Sequence, residues 1–432
     1  MRKKFSHLDL ANLLLRDVRV VDPFTGVDRR QDLAVKDGQI VAASAADDLE
    51  EISATGLVVC PGLTDAHVHL REPGQEYKED IVSGTRAAAH GGMVQVACMP
   101  NTAPPIDNPA LVSYVIERAE TAGYCEVLPI GAVSKGLAGE ELAEIGLMRE
   151  AGAVAFSDDG KPVASAEMMR KAMIYAQAFG CTVHSHCEDL SLAEDGLMNE
   201  GWVSTEMGLF GIPTLAEDVM IARDILLSEY YDCPVHICHV STAGGVEMIR
   251  QAKRKGLKVT AETCPHYFTF TDAEVRGFRT NYKMNPPLRS EEDRLAVLEG
   301  IVDGSLDLIV SDHAPHHSDE KEVEFALALF GIIGVETLWP LLYSELVLSG
   351  KLSLEAALRL VTVNPRRLLQ QEETPLVEGA PANLMVFAED EPFTYDKSST
   401  FSKARNTPYD GYEMNGPIKL TLWNGRVTYR SK

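Results

Sequence analysis

His67 and His69 stand two residues apart at the end of an apolar run, Leu63–His69. Successive strand side chains alternate faces, so on a strand the two imidazoles point the same way. A chelating pair on a rigid strand can begin a transition-metal site, although an isolated His-x-His also arises among ordinary polar residues. The pair gains weight from four residues that end other apolar runs: Asp159 in Ser157-Asp158-Asp159-Gly160, His186 after His184-Ser185, His239 after Cys238, and Asp312 between Ser311 and His313. Imidazoles and carboxylates without thiolates suit zinc in a catalytic, water-bearing site. Four histidines and two aspartates exceed the needs of one tetrahedral ion and fit two ions bridged by a carboxylate. The competing reading is a hydrogen-bonded polar rim. His184 shares the face of His186 one layer deeper, where packing or a hydrogen bond to a ligand is expected. His236 precedes His239 by three residues, a spacing that puts the two on opposite faces, so His236 is expected to point outward.

These residues need elements that bring them together. Eight short apolar runs read as strands: Leu63–His69, Met93–Met99, Glu126–Ala132, Ala153–Asp159, Cys181–His186, Val235–His239, Leu257–Thr263 and Leu306–Asp312. Between them lie helical patterns, among them Glu79–His90, Pro109–Ala122, Glu140–Ala151, Ala166–Phe179, Ala216–Tyr230 and Gly245–Lys255. Eight strand–helix units predict an α/β fold, a closed (β/α)8 TIM-type barrel, whose chemistry gathers at the C-terminal ends of its strands. An open doubly wound sheet is the alternative, but no Gly-x-Gly-x-x-Gly follows the first strand. Both ends of the chain read as β-structure. Asp37-Gly38 and Asn424-Gly425 are two-residue hairpin signals, Val18–Val21 and Asn383–Phe387 are further strands, and the two ends together are expected to build one small β-domain.

Composition narrows the partners. With 64 acidic and 40 basic side chains among 432 residues, the net charge is −24. That balance speaks against nucleic acid and against an anionic membrane surface. Eight cysteines form no Cys-x-x-Cys pair, so a thiolate zinc site is not expected. The N-terminal stretch is basic and then apolar, but Asp9, Arg16 and Asp17 interrupt it and no signal-peptide cleavage pattern follows. The most apolar stretch, Ala326–Leu348, contains Glu336 and Pro340 and reads as a buried helix rather than a membrane span. The expected compartment is the cytoplasm.

The motifs PGLTDAHVHLREPG (61–74), CMPNT (98–102), SDDG (157–160), HCED (186–189), HVST (239–242), KMNPPLR (283–289) and SDHAPH (311–316) resemble those of the class I dihydroorotases of the amidohydrolase superfamily, and the likeness runs along essentially the whole chain. The resemblance implies a barrel over 61–375 and a β-sandwich formed by 1–60 and 376–432. It implies the reversible interconversion of N-carbamoyl-L-aspartate and L-dihydroorotate, the third step of pyrimidine synthesis. It assigns His67, His69 and Asp312 to one zinc and His186 and His239 to the other, with Asp159 and a hydroxide between them. Arg71 matches the clamp for the substrate carboxylate, a role suited to a guanidinium fork. Asn101, Asn285 and His316 match further substrate contacts, as does His69, and Phe330 and Gly331 match backbone contacts. A homodimer is also implied, and an association with aspartate transcarbamoylase is compatible with it.

Related hydantoinases and allantoinases carry a lysine on the fourth strand, where Ala153–Asp159 has none. AETCPHYF (261–268) departs toward the allantoinase pattern, and the loop over 326–337 lacks the proline that usually precedes Phe-Gly. Another cyclic amidohydrolase and a non-catalytic scaffold relative are therefore the alternatives; the complete ligand set counts against the second. Opening a cyclic amide needs a nucleophile, a polarised carbonyl and a proton for the leaving nitrogen. A hydroxide bridging two zincs would supply the first near neutral pH, and Asp312 would carry the proton to the nitrogen.

Overall fold

Most of the runs read as strands carry apolar residues on both faces rather than alternating, which suits strands covered on both faces. In the computed structural model, which describes residues 8–45 and 49–431, they are eight parallel strands hydrogen-bonded in chain order. These are β1 (Leu63–Val68), β2 (Met93–Cys98), β3 (Glu126–Gly131), β4 (Ala155–Phe156), β5 (Val183–Ser185), β6 (Val235–Ile237), β7 (Val259–Thr263) and β8 (Leu308–Ile309). A parallel bridge from Val68 to His313, with the His69 N–H donating to the His313 carbonyl at 2.9 Å, joins the end of the ring to its start. The basic run up to His7 lies outside the described residues.

Helices cover the outside, and their starts are written in the sequence. Asp80, Asn108, Ser165, Thr242 and Ser290 each cap the first turn of a helix by accepting a backbone N–H, at Ile81–His90, Pro109–Ala122, Ala166–Ala178, Ala243–Arg254 and Glu291–Val302. Two expected helices are shorter than their sequence patterns. The one expected over Glu140–Ala151 begins at Ile145, because Leu142 forms an extended bridge with Ser134. The stretch Ala326–Leu348 is helical only from Leu338. Its first half is an irregular loop, in which Gly331 adopts φ +149° and Gly334 packs so closely that a Cβ would stand 2.7 Å from the Ser311 carbonyl. Among the described residues no helix is long and apolar enough to cross a membrane.

The two chain ends share one eight-stranded sheet. Leu384–Ala388 pairs antiparallel with Leu57–Pro61, which lies beside Leu13–Asp22. The hairpins stand where the Asp-Gly and Asn-Gly pairs put them: Asp37 and Gly38 have φ of 50° and 79°, Asn424 and Gly425 have 48° and 73°. That is the geometry of a two-residue turn matched to strand twist. Leu13, Leu15, Val35, Val59, Leu384, Val386 and Leu422 belong to a core of this sheet's own, separate from the barrel core.

Candidate active site

Four of the barrel strands end before the residue proposed as a ligand. His67 is on β1 and His69 just beyond it; Asp159, His186, His239 and Asp312 follow β4, β5, β6 and β8. The short segments past the strand ends keep only scattered ladder bonds, and several residues there adopt left-handed backbone: Arg71 at φ 60°, His239 at 37° and Asp312 at 43°. Such conformations are uncommon for side-chain-bearing residues and need a surrounding structure that enforces them.

The six residues proposed from sequence as ligands meet in one buried cluster. Asp312 Oδ1 is 3.1 Å from His69 Nε2 and 3.5 Å from His67 Nε2. Asp159 sits between the groups, with Oδ1 3.5 Å from His67 Nε2, 3.4 Å from His239 Nε2 and 3.6 Å from His186 Nδ1, and Oδ2 3.5 Å from His69 Nε2. His186 Nδ1 and His239 Nε2 approach to 2.9 Å. The neighbouring Asp158 turns the other way, accepting from the Val133 and Ser134 backbone N–H groups at 2.8 and 3.0 Å and from the Ser134 hydroxyl. Lys161 is exposed.

The layer beneath was only partly legible. His236 does not face outward. It is fully buried inside the barrel, its ring 4.7 Å from that of His184. The three-residue rule failed because His239 lies past the strand end with a left-handed backbone, which turns its side chain back to the inner face. Glu262, on the adjacent strand β7, was not singled out from sequence. It is fully buried and accepts from His67 Nδ1 at 2.6 Å and from His236 Nε2 at 3.0 Å, while Thr260 Oγ1 lies 2.8 Å from His236 Nδ1. The only sequence signal was an acidic residue inside a run of strand length, Leu257–Thr263. His184 is buried, and neither ring nitrogen has a hydrogen-bond partner among the described residues; burial and His236 push its pKa well below the usual imidazole value, so it packs as a neutral ring.

This arrangement fits metal ions. The Glu262 contact fixes the proton of His67 on Nδ1, and Nε2, buried and without a hydrogen-bond partner among the described residues, is left as a lone-pair donor aimed at both aspartates. Asn101 does the same for His69, accepting from Nδ1 at 2.8 Å. The electrostatics agree. Burial by itself would lower the His67 pKa, yet Asp159, Asp312 and Glu262 push it well above the usual imidazole value. Against burial, Asp159 and Glu188 raise His186 to about 10. So much negative charge around buried imidazoles calls for positive charge between them.

Above the cluster opens a cavity of about 270 Å³ lined by His69, Arg71, Asn101, Asp159, His186, His239, Asn285, Asp312, His316, Phe330 and Gly331, among others. His67 lies beneath it. Arg71 is 7 % exposed; its Nε donates to the Pro315 carbonyl at 3.1 Å, and among the described residues no carboxylate pairs with it. Burial lowers its pKa to about 10, which leaves it a cation. Asn285 donates to Glu188 Oε2 at 3.2 Å, and His316 Nε2 donates to the Phe330 carbonyl at 2.7 Å. The Gly331 N–H donates to the Lys283 carbonyl at 3.0 Å, so this backbone group serves the loop itself. Asn406, from the C-terminal segment, accepts from the His316 N–H and donates to the Ala314 and Gly331 carbonyls; nothing in its sequence context marked it. A larger hollow of about 630 Å³, lined by Gln177, Lys258 and Asn364, lies at the opposite end of the barrel and holds none of these residues. Volume is therefore a poorer guide here than the convergence of charged groups.

A closed parallel barrel with imidazoles and carboxylates converging at its strand ends defines the amidohydrolase class of enzymes, which are in general metal-dependent. Among solved structures, an L-hydantoinase from Arthrobacter aurescens superposes with a TM-score of 0.86 at 25 % identity, over 98 % of this chain and 96 % of that one. A dihydropyrimidinase from Brevibacillus agri, at 23 % identity and a TM-score of 0.84 over 96 % and 95 %, shares the fold. A family model described as dihydro-orotase-like matches residues 56–244. Proteins named dihydroorotase from Ruminiclostridium cellulolyticum and Acetivibrio thermocellus are 51 % and 50 % identical over 97 % of this chain and 99 % of theirs. The chain belongs to the dihydroorotase family.

Proposed function

We propose that the chain interconverts N-carbamoyl-L-aspartate and L-dihydroorotate at this cavity, with two zinc ions held by His67, His69, Asp159, His186, His239 and Asp312. It is a hydrolase of cyclic amide C–N bonds. The observation that carries the substrate reading is Arg71, a buried guanidinium with no carboxylate partner among the described residues, at the wall of a cavity of substrate size. Both substrates present a carboxylate that a planar fork holds by two hydrogen bonds.

When bound, the metal ions would activate water and polarise the reacting carbonyl. The chain's own residues do the rest. Arg71 fixes the carboxylate, with Asn101, Asn285, His316 and the Phe330–Gly331 backbone orienting the ring. Asp312, beside His69 and facing the cavity, takes the proton from the attacking water and delivers it to the ring nitrogen as the amide C–N bond breaks; cyclisation runs the same path backwards. Glu262 and Asn101 hold the His67 and His69 imidazoles in the ligating tautomer.

The barrel, 61–375, is read as the catalytic unit, and segments 1–60 and 376–432 as one β-domain that also lends Asn406 to the mouth. The expected setting is the cytoplasm, as a homodimer, with aspartate transcarbamoylase as a compatible partner. The test is a metal count per chain beside rates on dihydroorotate, hydantoin and allantoin. Two zincs and turnover confined to dihydroorotate are expected. Faster turnover of hydantoin, or turnover that survives complete removal of metal, refutes the reading.

A further inference from the structure

The loop that closes one side of the cavity is held by two lysines that the proposed chemistry does not use. Lys321 ends the short helix Ser318–Lys321, and Lys283 opens the KMNPPLR segment on the far side of the loop. Both are 2 % exposed. Among the described residues neither has a carboxylate within ion-pair distance, an unusual state for a buried ammonium group.

Their partners are main-chain carbonyls of that loop. Lys321 Nζ donates to Leu329 O at 2.7 Å, Gly331 O at 3.2 Å and Lys283 O at 3.3 Å, which uses all three ammonium protons. Lys283 Nζ donates to Phe325 O at 2.7 Å and Ala326 O at 3.3 Å and lies 4.7 Å from the centre of the Phe330 ring. Five carbonyl contacts thus converge on two side chains, four of them from residues 325–331. Within the same span, Phe330 O receives His316 Nε2, and Gly331 packs on the His316 ring so closely that a Cβ would stand 2.8 Å from its Cδ2. The position of the lysine-held backbone therefore sets the position of His316. Burial pushes the pKa of Lys283 to about 8, and burial together with Lys283 pushes that of Lys321 to about 7. Two neighbouring lysine amines kept out of water, with no counter-ion among the described residues, are a costly way to fill space, and apolar side chains would serve if filling space were the task.

We propose that Lys283 and Lys321 are positioning residues for substrate binding, an ammonium pair that hangs backbone 325–331 over the cavity so that His316 and Phe330 meet the substrate. The proposal rests on the reading of His316, Phe330 and Gly331 as substrate contacts.

The test uses the zinc-loaded enzyme and the variants Lys321→Met and Lys283→Met, which keep most of the side chain's length and remove the donors. Amide hydrogen exchange is read across 320–332, with zinc content and steady-state kinetics on the same samples. Loss of hydrogen bonds from a charged donor should speed exchange in this loop about 10-fold or more and raise KM about 10-fold, with kcat changed less than about 3-fold and zinc content unchanged. Lys321→Arg, which keeps the cation, should recover part of the KM. A merely structural lysine would instead lower the active fraction and leave KM alone. Unchanged exchange at 320–332 overturns the latch itself. Faster exchange with unchanged KM also overturns the positioning role, and in that case it is the reading of the loop as a substrate contact that fails. The two lysines are varied separately, so a variant that does not fold leaves the other to decide.

Discussion

Replacing Glu262 by glutamine isolates what the buried layer contributes to the metal site. Glu262 accepts from His67 Nδ1 at 2.6 Å and from His236 Nε2 at 3.0 Å. Glutamine has the same shape. Its carbonyl can keep the His67 bond, and its amide can donate to His236 if that ring moves its proton to Nδ1, where Thr260 Oγ1 lies at 2.8 Å. The hydrogen bonds thus survive and the charge is lost. A hydrogen bond to a charged group contributes about 1.5–3 kcal/mol, and a neutral one roughly half. The His67 imidazole should therefore lose about 1–2 kcal/mol of support, a factor of about 5–30 in metal affinity. Removing a buried charge also changes folding stability, so melting temperature is the wrong readout. The assay is a zinc titration of folded, metal-free enzyme against a competing chelator, with kcat at saturating zinc as control. The expected result is affinity weakened by about 5- to 30-fold and kcat within roughly 10-fold of the parent. Affinity within about 2-fold of the parent would refute the argument that Glu262 makes His67 a better ligand.

Three further outcomes follow from the same geometry. Asp312→Asn should lower turnover by about 1,000-fold or more while the zinc count holds, because an amide cannot carry the proton; substantial residual activity would sink the shuttle assignment. Arg71→Ala should raise KM by about 100-fold with a smaller change in kcat, since it removes the buried partner of the substrate carboxylate; an effect confined to kcat would place Arg71 elsewhere in the reaction. Gly331→Ala should destabilise the folded enzyme by about 1–3 kcal/mol in chemical denaturation, because φ is +149° and a Cβ would stand 2.7 Å from the Ala314 carbonyl; a stability equal to the parent's would contradict that loop conformation.

Much of this molecule was legible in its amino acids because the signals are local. Apolar runs of strand length, helix caps such as Asn108-Pro109 and Thr242, and the Asp37-Gly38 and Asn424-Gly425 turns each act within a few residues. The barrel follows from their alternation, and the strand-end location of His67, His69, Asp159, His186, His239 and Asp312 follows from the barrel. Side-chain direction was legible only while the strand lasted. Two-residue periodicity worked for His67 and His69 but failed between His236 and His239, because the left-handed backbone at His239 breaks it.

What the tertiary structure alone decided is which distant residues meet. Glu262 supports His67 from 195 positions away, two strands round the ring, and Asn406 reaches 90 positions back to His316. The lysines that hold the mouth loop bond to backbone carbonyls, which every residue has, so no side-chain pattern announces the contact. The sequence by itself determined the ligand types, the elements that carry them and the family; closure of the ring brought Glu262 beneath the ligands and set Asn406 and the two lysines behind the mouth loop, because those contacts exist only once strands far apart in the chain lie side by side.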